Sequence, residues 1–154
     1  MANIFSALAD IAKEYKDVEI VYPVHLNPQV KEAAEKYLGG LDNVHLIAPL
    51  SYQPFTKLLQ ASYHVVTDSG GIQEEAPALG KPVLVVRKET ERPEAVEAGT
   101  VKLSGVERKD IYNDIKELLD DKNCYDKMAN AVNPYGDGKA SLRIAEALKN
   151  FDKK

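Results

Sequence analysis

The hydrophobic positions of this chain follow two alternating periods. Short runs of apolar, often β-branched residues predict strands at 18–22, 44–47, 65–67, 83–86 and 100–103. Apolar residues recurring every three or four positions predict helices at 4–15, 28–38, 55–61, 69–79, 93–98, 109–119, 125–131 and 139–150. Strands that alternate with helices favour a parallel sheet with right-handed crossovers and helices on both faces. The sequence therefore predicts one α/β domain of Rossmann-like type over residues 1–154.

Local signals set several of these boundaries. Pro23 is expected to stop the first strand, and Asn27-Pro28 combines an N-cap residue with proline at the first helical position. Gly39-Gly40 is expected to close the helix that begins there. The final residues, 152–154, are polar and are expected to fray.

One stretch, 63–77, organises the rest of the chain. Its apolar strand leads into Asp68 and Ser69, whose side-chain oxygens can accept the first free N–H groups of the next helix. Gly70 and Gly71 follow, and without a Cβ they let a ligand approach the backbone closely. The free N–H groups and the positive end of the helix dipole predict an anion site, most naturally for phosphate. The alternative is a tight turn that needs glycine for its backbone alone.

Glu75 extends this prediction. It lies four residues after Gly71 and therefore on the same helical face. A carboxylate would repel a phosphate, so Glu75 is expected to accept hydrogen bonds from neutral hydroxyls such as those of a ribose. Phosphate at the glycines and ribose at the glutamate together suggest a nucleoside diphosphate.

The position of the other candidates agrees with a ligand at one edge of the sheet. In open parallel sheets, ligands lie beyond the carboxyl ends of the strands. His25, Phe55, Ser69 and Arg92 each follow a predicted strand. These four side chains are therefore expected at the same edge.

Composition narrows the function classes. The net charge of −4 and pI near 5.4 argue against nucleic acid as a partner. No apolar run approaches the ~20 residues of a membrane helix, and no signal peptide is evident. The single cysteine, Cys124, fits a reducing cytoplasm, which is the expected location. The three histidines do not show metal-ligand spacing, so no metal is expected.

Other familiar motifs are absent. The segment 80–82 lacks the glycine-rich loop and the Ser/Thr of a P-loop. No glycine triplet matches the dinucleotide fingerprint, so no cofactor is expected. Ser69 has Thr67, not glycine, two positions before it, which argues against a nucleophile elbow.

Several motifs in chain order resemble those of a known family. They are YPVHLNP (22–28), TDSGGIQEEAP (67–77), GKPVLV (80–85), TERPEA (90–95) and NPYGDG (133–138). Together they resemble the non-hydrolysing bacterial and archaeal UDP-N-acetylglucosamine 2-epimerases over almost the whole chain. The resemblance implies the carboxy-terminal domain of a GT-B fold, in which UDP-sugar lies in the cleft between two Rossmann-like domains.

The resemblance also implies roles for the residues of the phosphate turn. Ser69, Gly70 and Gly71 would hold the diphosphate, and Glu75 would bind the ribose hydroxyls. Arg92 would add a charge-assisted contact to the phosphates. The alternative for Arg92 is a surface arginine paired with Glu89 or Glu91.

Phe55, Leu50, His25 and the loop 133–138 carry further expectations, with open alternatives for Phe55 and His25. By resemblance, Phe55 would pack against the uracil and the backbone near Leu50 would contact the base edge; ordinary core packing is the alternative for Phe55. His25 would help to bind a second, activating UDP-sugar, or it would only cap the next helix. The loop 133–138 is expected to lie beside the interdomain cleft, with Asp137 capping the last helix.

The implied chemistry eliminates UDP from C1 as the C2 proton is removed, and then adds UDP back to the glycal. In the family the acid–base groups come from the amino-terminal domain and the joining segment, so no catalytic residue is expected in this chain. The expected partners are a UDP-sugar and that amino-terminal domain, and the apolar face of the last helix is expected to allow a homodimer. The alternatives are a UDP-sugar glycosyltransferase subunit and a non-catalytic UDP-sugar-binding module.

Overall fold

The computed structural model describes residues 1–151. The described strands are β1 Ile20–Pro23, β2 Val44–Ile47, β3 Val65–Thr67, β4 Val83–Val85 and β5 Val101–Leu103. The described helices are α1 Ala2–Glu14, α2 Pro28–Leu38, α3 Tyr52–Ala61, α4 Gly70–Ala78, α5 Pro93–Ala98, α6 Arg108–Asp120, α7 Lys122–Ala129 and α8 Ala140–Phe151. The predicted fraying of 152–154 concerns residues outside this range.

All strand pairs in the described residues are parallel. β1 pairs with β2, and β4 lies between β3 and β5, so the hydrogen bonds form a two-stranded and a three-stranded group. The two groups share a core, because Ile20 of β1 and Val66 of β3 pack against the same buried cluster. The predicted Rossmann-like class is confirmed, with the sheet divided into two hydrogen-bonded groups.

β4 shows how helices cover both faces of the sheet. Val83 and Val85 pack with Ala76 of α4 and Ala95 of α5. Leu84, which points to the opposite face, packs in the cluster formed by α1, α6 and α7. All three β4 residues are fully buried. This two-sided burial explains why the strand reads as a continuous apolar run instead of an alternating one.

The first strand begins later than predicted, at Ile20 and not at Val18. The buried side chain of Asn43 donates to the carbonyl of Val18 at 2.8 Å, which takes that carbonyl out of strand pairing. The strand also includes Pro23, which was expected to stop it. Val24 N–H donates to Ile47 O at 2.9 Å, so the ladder continues past the proline, which has no N–H to give.

Two helices also differ from their predicted bounds. α3 begins at Tyr52 instead of Phe55, because Pro54 falls in the first turn, where a missing N–H leaves no helical bond unmade. α7 is Lys122–Ala129 instead of 125–131. Asp121 caps it by accepting from the N–H groups of Asn123 and Cys124 at 2.8 and 3.2 Å.

α8 differs from the other long helices in its surroundings. None of its residues is buried. Its large apolar side chains are all exposed: Leu142, Ile144, Leu148 and Phe151. Within residues 1–151, no helix has the length and apolar character needed to cross a membrane.

Candidate functional site

The turn between β3 and α4 has the predicted course but not the predicted cap. Ser69 is the N-cap residue of α4, yet its side chain accepts no hydrogen bond from the helix. Instead, Ser69 N–H donates to Thr67 Oγ1 at 3.0 Å. The expected side-chain capping is therefore wrong. The exposed Ser69 hydroxyl and the first N–H groups of α4 can instead reach an external acceptor.

The glycines of this turn are not required by its backbone. Neither Gly70 nor Gly71 has a positive φ, unlike six other glycines of the chain. A Cβ at Gly71 would meet only Ser69 Oγ, at 4.0 Å. A Cβ at Gly70 would overlap the end of the flexible Glu91 side chain. A left-handed turn therefore does not explain the two glycines. The space beside α4 is open at Gly71, whereas at Gly70 the Glu91 carboxylate occupies it.

Glu75 lies on α4 four residues after Gly71, as predicted, and it is half-buried. Within residues 1–151, its carboxylate makes no hydrogen bond and no ion pair. Two other acidic groups of this region, Glu74 and Glu91, each pair with an arginine. An unpaired, half-buried carboxylate can accept hydrogen bonds from neutral hydroxyl groups.

Arg92 contacts an acidic residue that was not predicted. Its Nε donates to Glu74 Oε1 of α4, while its Nη1 donates to the backbone carbonyl of Glu91 at 3.2 Å. The alternative pairing with the carboxylate of Glu89 or Glu91 is therefore wrong. The bond to Glu74 is the main reason that the pKa of Arg92 is raised. The guanidinium stays charged, and its Nη2 edge has no partner among the described residues.

Gln73 and Thr90 connect the turn to the arginine loop. Gln73 is fully buried, donates to Ser69 O at 3.3 Å and accepts from the Thr90 hydroxyl at 2.6 Å. Sequence analysis missed this pair, although Gln73 lies at the i+4 position from Ser69, where such a contact is expected. Its partner Thr90 could not be inferred from local spacing.

Glu91 brings a negative charge to the turn. Its carboxylate lies beside Gly70 and pairs with Arg87 at 2.8 Å. The pKa of Glu91 is lowered by its own backbone N–H first, and then by Arg87 and Arg92. A phosphate entering at Gly70 would therefore meet the Glu91 carboxylate, which is paired with Arg87.

Leu50 and Phe55 lie on the segment that follows β2, as predicted, but no hydrogen bond among residues 1–151 ties them to the turn. Phe55 is half-buried and Leu50 is 37% exposed. Phe55 belongs to none of the three buried clusters in the described part of the chain. Both side chains therefore offer apolar surface to solvent at the carboxyl end of β2.

His25 is exposed, and its Nδ1 accepts from the N–H of Asn27, the N-cap residue of α2, at 3.1 Å. Asn27 Oδ1 in turn accepts from Gln29 N–H at 2.9 Å, so the predicted Asn27-Pro28 cap is confirmed. Because Asn27 and not His25 accepts from an N–H of α2, the alternative in which His25 caps that helix is wrong. A role in a second nucleotide-sugar site stays a prediction.

The loop 133–138 contributes a tyrosine that sequence analysis did not single out. The Tyr135 hydroxyl is buried and has no hydrogen-bond partner in the described residues. Burial first, and then the nearby carboxylates of Glu94 and Glu74, raise its pKa, while Arg92 opposes that effect. Asp137 accepts from Lys139 N–H at 3.1 Å, one residue before α8 begins, and from the Arg143 guanidinium; its capping of α8 stays a prediction.

Parallel strands covered by helices on both faces, with an open helix N-terminus at the carboxyl edge, define a Rossmann-like α/β domain of the kind found in GT-B proteins. The sequence model of the UDP-N-acetylglucosamine 2-epimerase family matches residues 1–149. The chain belongs to this family. The resemblance predicted from the motifs is thereby confirmed.

Named relatives agree with this assignment. The UDP-N-acetylglucosamine 2-epimerase of Bacillus subtilis is 57% identical over 96% of this chain and 39% of its own length. The co-structure of S. aureus MnaA with UDP has a TM-score of 0.94 and 50% identity over 99% of this chain and 42% of that one.

A third relative is the Neisseria meningitidis UDP-GlcNAc 2-epimerase, solved bound to UDP-GlcNAc. It has a TM-score of 0.90 and 50% identity over 97% of this chain and 40% of that one. The chain therefore spans about two fifths of the length of these relatives. That share limits which of their properties this chain can carry by itself.

Proposed function

We propose that this chain holds the UDP moiety of UDP-N-acetylglucosamine, as the nucleotide-sugar-binding half of a UDP-N-acetylglucosamine 2-epimerase. The observation that carries the proposal is the open N-terminus of α4. Gly71 lacks a Cβ without any backbone or packing need, and Arg92 is attached to the same helix. Two relatives of 50% identity were solved with UDP or UDP-GlcNAc, which supports the same ligand here.

The diphosphate would be held by two sources of positive charge. The N–H groups at the start of α4, with the helix dipole behind them, favour an anion at Gly70 and Gly71. The Nη2 edge of Arg92 would give charge-assisted bonds to the second phosphate. A diphosphate would contact both the start of α4 and Arg92, whereas a monophosphate would contact only one of them.

The nucleoside would follow the sheet edge away from the phosphates. Glu75 carries the unpaired carboxylate of α4 and would accept from the two ribose hydroxyls. Phe55 and Leu50 would cover the uracil, with the base edge read by the backbone near Leu50. The half-buried ring of Phe55 belongs to none of the buried clusters, so its exposed apolar surface could pack against a base without disturbing the core.

Binding of UDP by this chain would suit a reaction in which UDP leaves C1 of the sugar and later returns to it. The leaving group must stay bound while the glycal exists, and the phosphate turn would retain it. The acid–base groups acting on the sugar would come from an amino-terminal domain of the same enzyme. The exposed apolar side chains of α8 offer a surface for that domain, or for a second copy in its absence.

Titration calorimetry with UDP, UMP and uridine tests the binding proposal on the 154-residue chain. We expect weak binding of UDP, weaker binding of UMP and the weakest binding of uridine, because each phosphate adds charge-assisted contacts. Equal affinity for UDP and uridine would contradict the proposed phosphate site.

Proton exchange at C2 of UDP-N-acetylglucosamine, followed by NMR in deuterated water, tests the division of labour. We expect no deuterium in the sugar with this chain alone, because general acid–base groups contribute about 10²–10⁴-fold each and would lie on the other domain. A full-length family member is the positive control. Deuterium incorporation by the purified chain would place catalytic groups within residues 1–154.

A further inference from the structure

Two contacts between α4 and the following loop fix the position of Arg92. One runs through buried Gln73 and Thr90, and the other joins Glu74 to the guanidinium. We propose that Thr90, held by Gln73, is a positioning residue that sets Arg92 against the phosphate turn. The inference rests on the proposed function, because it assigns Thr90 a role in diphosphate binding.

The first contact is a chain of three hydrogen bonds. Gln73 Nε2 donates to the carbonyl of Ser69 at 3.3 Å, and the Thr90 hydroxyl donates to Gln73 Oε1 at 2.6 Å. Arg92 N–H then donates to Thr90 Oγ1 at 3.0 Å. The chain begins at the N-cap residue of the helix and ends at the arginine backbone. The two phosphate-binding elements are therefore linked through one buried amide.

Burial makes this link stiff. Gln73 is 0% exposed, and both polar atoms of its amide have a partner. Breaking either bond would leave a buried polar group unsatisfied, which is costly in a low-dielectric interior. An exposed threonine would not restrain its neighbours in this way, because water would replace its partners.

The second contact orients the side chain. Glu74 takes Nε, and the Glu91 carbonyl takes one hydrogen of Nη1. The planar guanidinium then keeps its Nη2 edge for another acceptor. The bond to Thr90 fixes the backbone of Arg92, and the bond to Glu74 determines which edge of its guanidinium stays open to a ligand.

Thr90→Val tests the link, because valine keeps the shape and removes the hydroxyl. We expect UDP affinity to fall about two- to tenfold, the equivalent of one hydrogen bond. Uridine affinity should not change. Thr90→Ser, which restores the hydroxyl, should bind UDP within about twofold of the original chain. In an Arg92→Ala background, Thr90→Val should cause no further loss, since Thr90 acts through Arg92.

Three binding results would overturn the inference. They are unchanged UDP affinity in Thr90→Val, an equal loss for uridine, or an undiminished loss in the Arg92→Ala background. A purely structural role of Thr90 would produce the second or the third result.

Hydrogen exchange at the Arg92 amide gives a readout that needs no ligand. The amide should exchange slowly in the original chain and in Thr90→Ser, and markedly faster in Thr90→Val. Unchanged exchange would overturn the link whatever the affinities are. If the original chain fails to bind UDP at all, the proposed function fails, and the exchange data alone then decide whether Thr90 holds Arg92.

Discussion

Two charged regions of this protein differ in how completely their partners are provided. The α1–α6 seam consists of Asp10, Glu14, Arg108, Tyr112 and Lys116. The phosphate edge consists of residues 69–75 and 87–92. Both regions are rich in charge, and both lie partly in solvent. They differ in whether each charged group finds a partner within the chain.

In the α1–α6 seam, each charged side chain forms an ion pair with a side chain of opposite charge. Arg108 forms a two-pronged pair with Asp10 at 2.7 and 2.8 Å. Lys116 donates to Tyr15 and Glu14, and these bonds, with its pair to Asp120, raise its pKa. Each charged side chain of the seam therefore has an oppositely charged partner within the chain. An open groove lies beside the α1–α6 seam. The charged residues of the seam nevertheless pair with one another between the two helices.

At the phosphate edge, several groups lack a partner among residues 1–151. The Glu75 carboxylate, the Nη2 edge of Arg92 and the Ser69 hydroxyl make no bond there. Their neighbours do have partners: Gln73 bonds the Ser69 carbonyl and Thr90, and Glu74 bonds Arg92. The number of charges in a region therefore says little about ligand binding. A binding site is indicated by polar groups that have no partner within the chain and that neighbouring bonded residues hold in place.

The largest expected effect is a loss of stability in acid, and it comes from His64, which lies outside both regions. The His64 Nδ1 is buried without a partner in the described residues, and burial lowers the pKa of His64 to about 4. The unfolded chain therefore takes up the proton first. Stability should be complete above about pH 6.5 and fall as the pH drops toward 4, by an amount on the order of 3 kcal/mol.

Urea unfolding between pH 7 and 4.5 measures this loss. His64→Phe should flatten the profile over that range, and His45→Phe, at an exposed position, is the matched control. Glu14 of the seam and Asp120, which pairs with Lys116, have lowered pKa values, so their stabilisation is lost only at still lower pH. An unchanged slope in His64→Phe would assign the loss to another group.

Arg92→Ala against Arg108→Ala tests the comparison directly. We expect Arg92→Ala to weaken UDP binding by about 1.5–3 kcal/mol, the range for a hydrogen bond to a charged group. Arg108→Ala should leave UDP affinity unchanged, because Arg108 is already paired with Asp10. Calorimetry gives both values. Equal losses in the two variants would mean that the seam and the phosphate edge do not differ as described.

Glu75→Gln should weaken UDP binding by about 1 kcal/mol, since an amide oxygen accepts a ribose hydroxyl less strongly than a carboxylate does. The loss should disappear with 2′,3′-dideoxy-UDP, which has no hydroxyl to offer. Glu14→Gln in the seam is the control and should bind both ligands as the original chain does. If the original chain binds both ligands equally, Glu75 is not a ribose ligand.

The smallest effect is expected in the seam. Lys116→Met should lower the free energy of unfolding only slightly, since exposed ion pairs contribute little. UDP affinity should stay the same. Lys109→Met on the same helix, at an exposed position, is the control for the loss of a positive charge. A change in UDP affinity on removal of Lys116 would show that the two regions are coupled.

Local patterns were sufficient for the class of fold and for the place of the candidate site. The apolar runs of β3 and β4, the Asn27-Pro28 cap and the glycines after Ser69 depend on neighbours within about four residues. Parallel strands then bring their carboxyl ends to one edge, whatever the loops contain. The positions of His25, Phe55, Ser69 and Arg92 after strands therefore follow from the sequence.

Partner choice was decided by the tertiary structure. Arg92 has acidic neighbours at 89 and 91, yet it binds Glu74, 18 positions away, and Thr90 binds Gln73 across 17. Val18 is β-branched, yet it leaves the first strand because Asn43, 25 positions away, takes its carbonyl. Local spacing records only which groups can meet along one element. Which of several acceptors a donor reaches depends on how helices and loops pack, and that packing brings together residues far apart in the chain.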